Sequence, residues 1–276
     1  MTVALRARSA QLQTLLSHEL RLSVRSLVGW AVPAALMLSV ALSMQKSMSE
    51  RGSAFEQKLA AMPREMLLAF GLDRPNLTET VGYLAANASF YTLIGALFSA
   101  LLAAQLATRE STQRMGELLF TQPIDRSTSL AAKALAGLVC VLGFNAIMLL
   151  AASATYASAG VAVARRAAFV SVFAGSALVH SALFSLSLLA ALSVSRARSA
   201  ASMATGITFG LYGAAVLSRV SDKLSGFAKL SPFTYAEAGA IAARGSLEPK
   251  AAVLVLFVVV LLLVARVRFE RRDIDA

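Results

Sequence analysis

Residues 254–265 read LVLFVVVLLLVA, a stretch without one polar side chain. A surface helix keeps one face for water and a barrel strand alternates, so a segment apolar on every side is a helix surrounded by lipid or by other apolar helices. It belongs to an uncharged run, 251–265, and five more such runs precede it at 26–45, 80–108, 134–164, 167–195 and 199–218. Only 15% of the 276 residues are charged and 57% are hydrophobic, against roughly 25% charged in soluble domains. A helix needs about 20 largely apolar residues to cross hydrocarbon. The expected fold class is therefore an all-α polytopic membrane protein, a single domain over 1–276 with six transmembrane helices at about 26–44, 83–107, 134–156, 168–193, 200–217 and 249–266. Between them lie outer loops at 45–82 and 218–248 and an inner segment at 108–133.

Working outward from the spans, the charges set an orientation. SRARSA at 195–200 and RVRFERR at 266–272 abut span ends, where arginine and lysine mark cytoplasmic loops. Both termini are expected on the cytoplasmic side. Arg165 and Arg166, between spans three and four, run against that bias. The net charge of +11 is assigned to anionic lipid headgroups rather than nucleic acid. The first 25 residues carry Arg6, Arg8, Arg21 and Arg25 with no compact apolar stretch, which argues against a removable leader. One cysteine, Cys140, lies inside a span, so no disulfide framework or thiolate cluster is expected.

Before span one, Leu12, Leu15, Leu16 and Leu20 share a helical face while His18, Arg21 and Arg25 share another. This describes an N-terminal amphipathic helix lying in the interface, or equally an extension of span one. Pro33 is expected to kink that span. In the first outer loop, Phe55, Leu59, Met62, Met66, Leu67 and Phe70 recur at helical spacing, predicting a short helix broken near Pro63.

The uncharged runs contain no carboxylate, which disfavours a carrier coupled to protons or sodium. His180, among Ser176, Ser181 and Ser185, reads either as a neutral histidine bonded to a hydroxyl or carbonyl, or as part of a path or metal site; no further metal ligands accompany it. Asn87 and Asn145 line a path or bond neighbouring helices. Small residues at Gly206, Gly210 and Gly213, and at Gly95, Ser99 and Ala103, let helices approach closely, either within the chain or across a dimer seam. No catalytic residue and no metal site is assigned. No G-x-x-x-x-G-K-[ST] loop occurs, so any ATP used must be bound by another polypeptide.

The inner segment TRESTQRMGELLFTQPIDRSTSLAAK at 108–133 carries the most information. Glu110 and Arg114 are four apart, Arg114 and Glu117 three apart, and Met115, Leu118 and Leu119 form an apolar face around Gly116. A short charged amphipathic helix is predicted, ended by Pro123. It packs on the chain's own inner surface, on lipid, or on a partner protein.

This segment resembles the cytoplasmic connection between spans two and three of type-2 ABC transporter permeases. Glu110, Gly116, Glu117, Leu118, Leu119, Thr121, Pro123, Ile124 and Arg126 match that family's run, although its Thr-Leu pair between the glycine and the glutamate is absent. SPFTYAEAGAIAARG at 231–245 is similar to the family's outer segment before the last span, and FERRDI at 269–274 looks like its ending. The resemblance implies an export permease of a prokaryotic cytoplasmic membrane, acting as a dimer with the same or a related chain. It also implies two copies of an ATP-binding subunit that hold ATP and magnesium, and a coupling helix at Glu110–Leu119. The alternatives left open are a non-transporting anchor acting mechanically through its outer loops and, third, a membrane-embedded enzyme using His180.

Overall fold

A computed structural model describes residues 2–50, 61–70, 76–112, 126–194 and 196–270. Among these residues there is no β-strand. The helices are α1 (Thr2–Ser43), α2 (Gln45–Glu50), α3 (Arg64–Phe70), α4 (Thr80–Thr112), α5 (Arg126–Ser158), α6 (Arg166–Ala191), α7 (Ala197–Val220), α8 (Ala238–Arg244) and α9 (Ala252–Glu270). Six of them, α1, α4, α5, α6, α7 and α9, are long and apolar enough to cross a membrane. The connections between them add 3-10 turns at Asp222–Leu230, Pro232–Thr234 and Pro249–Ala251.

Burial separates a centre from a periphery. In α4 and α6, 56% and 61% of the most apolar stretch is buried inside the protein, against 22% in α1, 22% in α7 and 17% in α9. The two central helices pack along each other, α7 lies on α4, α9 lies on α6 and α5, and α1 runs along α5. Tyr91, Phe98, Phe144, Tyr156 and Phe184 fill the interior, with Phe98 and Phe144 stacked 5.2 Å apart. Most of the large apolar side chains left outside are aliphatic, such as Leu36, Val40, Leu150 and Leu256, with Phe90, Phe209 and Phe227 among the exceptions. That distribution is what helices solvated by hydrocarbon require, since lipid tails do not penalise an exposed leucine.

The N-terminal arm is not a separate helix. Thr2–Ser43 is continuous through Pro33, so the arm is the extension of span one. Its leucine face meets protein: Leu20 and Leu27 pack on the core cluster while His18, Arg21 and Arg25 stay exposed. In the first outer loop, Pro63 precedes α3, its carbonyl accepting from the amides of Met66 and Leu67; residues 51–60 lie outside the described set.

We call the end carrying Ser9, Arg109, Ser127 and Arg266 the base and the opposite end the crown. At the crown the segment between α7 and α9 folds back onto the bundle. Pro232, Phe233, Ile241 and Ala242 are buried, and α8 touches both α4 and α6. The left-handed backbone of Gly245 (φ 91°), which a glycine adopts without a Cβ penalty, closes α8. Arg165 of this end pairs with Glu79 at 3.2 Å, and Arg219 with Glu237 at 3.1 Å. The Arg165 charge that opposes the sequence-based orientation is thus locally neutralised.

Candidate functional site

Two buried polar clusters stand out against the apolar interior. The first joins α4, α5 and α6 at mid-height. His180, fully buried, places Nε2 2.8 Å from the Thr92 carbonyl and Nδ1 3.0 Å from Asn145 Nδ2. A carbonyl only accepts, so Nε2 carries the proton, and Nδ1 accepts from the Asn145 amide: a neutral imidazole. Asn145 Nδ2 also donates to Val141 O at 2.8 Å, which fixes the amide's orientation and leaves Oδ1 buried without a partner among the described residues. Nearby, Ser176 donates its one proton to Val172 O and therefore accepts from both Tyr91 (2.9 Å) and Thr92 (3.0 Å). Gly95 makes this crossing possible, because a Cβ there would lie 2.3 Å from His180 Cε1.

The second cluster is ionic and sits toward the base. Glu19 of α1 pairs with Arg109 of α4, with side-chain exposures of 11% and 15%. Lys133 of α5, 3% exposed, donates from Nζ to Leu106 O of α4 at 3.0 Å. One acid and two bases therefore tie three helices just before α4 leads into the 113–125 segment. Sequence reading missed this group, treating Arg109 and Lys133 as loop charges and leaving Glu19 unassigned. A signal was present: Glu19 and Ser23 continue the stripe of Leu12, Leu15 and Leu16, and an acid on an apolar stripe needs a buried cation.

The other sequence-selected residues are spread more widely. Asn87, half-buried on α4, donates to Tyr83 O at 2.9 Å and does not join Asn145 and His180. The two small-residue stripes differ. Gly95, Ser99 and Ala103 pack inside the chain. At Gly206, Gly210 and Gly213 no heavy atom of another described element comes within 4 Å of where a Cβ would stand, so no described helix packs closely on them. Glu110 falls in the last turn of α4, whereas Arg114, Met115, Gly116, Glu117, Leu118 and Leu119 lie outside the described residues.

The chemistry available is limited. Among the described residues no group of three His, Cys, Asp or Glu side chains could hold a metal. The mid-height cluster contains no carboxylate, so it offers hydrogen bonds rather than a charge to a passing molecule. A crown cleft between α4, α7 and the 232–239 stretch is lined by Ser89, Thr92, Tyr212 and the Arg219–Glu237 pair.

No curated protein matches the sequence. Residues 13–274 match the family model described as ABC-2 family transporter protein, a match that takes in all six apolar helices. With nearly its whole length inside that match, the chain belongs to the ABC-2 family of transporter membrane proteins.

Proposed function

We propose that this chain is the permease subunit of an exporter in a prokaryotic cytoplasmic membrane, energised in trans by two copies of a separate ATP-binding subunit. The family match over 13–274 carries the reading. The lack of a phosphate-binding loop supports the division of labour: ATP and magnesium belong to the partner, and this chain binds no cofactor of its own. The base faces the cytoplasm, on the strength of the arginines at 195–200 and 266–272. There the segment from Glu110 to Leu119 docks on the ATPase. Closure of the ATPase pair pushes on it and, through α4, repacks the central helices in a rigid-body switch between inward-open and outward-open states. Asn87, Asn145 and His180 line the path that this repacking opens. The second permease chain, the same or a related one, seats on the glycine face of α7.

The test is a mild-detergent purification of the tagged chain from its own cells with an assay of vanadate-sensitive ATP hydrolysis. A stoichiometric ATP-binding subunit is expected to co-purify and to hydrolyse ATP. An intact six-helix protein that reproducibly brings no ATPase overturns the proposal.

A further inference from the structure

Between the base ends of α1, α5, α6 and α9 lies a groove of about 530 Å³ that neither polar cluster touches. Its lining is graded. Ser9, Ser127, Thr128 and Arg266 stand at the end of the bundle, while Leu135 and Val259 lie deeper. From Ser127 to Leu135 and from Arg266 back to Val259 the helices rise about 10–12 Å, at roughly 1.5 Å per residue.

The groove also opens sideways. Leu135, Val259 and Leu263 line it and are at the same time 43%, 48% and 57% exposed, and on membrane-spanning helices that exposed surface meets hydrocarbon. Whatever fills the space therefore enters from the bilayer, and an apolar wall of this kind is filled by an acyl chain rather than by water. The polar end narrows the choice further. Arg266 engages Glu270 Oε1 through Nε at 3.0 Å, and its two Nη groups make no hydrogen bond among the described residues. A guanidinium presents paired N–H groups that suit a phosphate. Across from it, Ser127 and Thr128 bring further polar side chains to the same end of the groove.

We propose that this groove binds one anionic glycerophospholipid, its phosphate held at Arg266 and its acyl chain running inward along Leu135 and Val259. The site is independent of what the protein transports and of which subunit drives it.

The experiment uses the full chain with its co-purifying subunits in phosphatidylcholine vesicles. These carry a trace of either photoactivatable phosphatidylglycerol or photoactivatable phosphatidylcholine, and labelled peptides are mapped after illumination. Wild-type protein is expected to be labelled between 127 and 135 and between 259 and 266, with phosphatidylglycerol favoured. Arg266→Gln removes that preference by about fivefold, the factor for one arginine at an anionic headgroup, and Arg266→Lys keeps most of it. Ala131→Trp, at an exposed position on the groove wall, fills the groove and suppresses labelling by both lipids. Retained thermal unfolding of each variant in detergent confirms folding. Equal labelling by the two lipids, an unchanged ratio in Arg266→Gln, or no label in the groove, as when another segment of the chain occupies it, overturns the proposal.

Discussion

Among the described residues Glu19 has one ionic partner, Arg109, which stands at the foot of the helix that leads to the proposed docking segment. Removing one member of a buried pair strands the other charge in a poorly solvated place, so Arg109→Ala is expected to destabilise the protein by about 3 kcal/mol, read as a lowered Tm in detergent. Exchanging the charges, Glu19→Arg with Arg109→Glu, recovers most of it; a single variant with wild-type Tm shows that water already reaches the pair. Glu117→Lys acts differently. It reverses a charge on the proposed docking segment without touching a span, so insertion and expression persist while ATP-driven transport in vesicles falls at least about tenfold; undiminished transport with a stable ATPase complex removes that residue from the docking surface. Local pattern made His180 and Asn145 conspicuous, because polar side chains in an uncharged run are few. The bond from His180 to the Thr92 carbonyl joins residues 88 apart, and no periodicity carries that pairing.

At the level of single helices, length was the readable quantity. Hydrocarbon sets a minimum run of about 20 apolar residues, and six such runs can be counted directly. Which face meets which neighbour was not readable, because helices such as α9 are apolar on every side and offer no moment to orient them. The same limit explains the N-terminal arm, whose leucine stripe is equally suited to lipid and to protein. The two small-residue stripes had identical signatures, yet one is closed by His180 and Phe144 against Gly95 while the other lies open on α7. The open stripe bears on assembly. Since a Cβ at Gly210 meets no other described element of its own chain, Gly210→Trp folds and inserts normally but shifts the permease pair toward single copies in native mass spectrometry. Gly210→Cys forms an oxidant-induced disulfide between chains. Unchanged pairing in the tryptophan variant moves the seam elsewhere.

For the molecule as a whole, the family match and the six helices agree on a transporter subunit with its apolar bulk in the bilayer. The order of helices around the centre was hidden, since it depends on contacts between segments far apart in the chain. One of those contacts has a bearing on how the protein is made. The first of the six described spans in chain order, α1, lies mainly along α5, which ends at Ser158. At roughly 5–20 residues per second, α1 waits in the bilayer on the order of ten seconds before the ribosome has delivered that neighbour. Throughout the first part of this interval Arg109, the partner of Glu19, has not yet been made. The nascent chain must therefore park its first helix, shielded by lipid or by insertion machinery, and settle it only after the third span arrives.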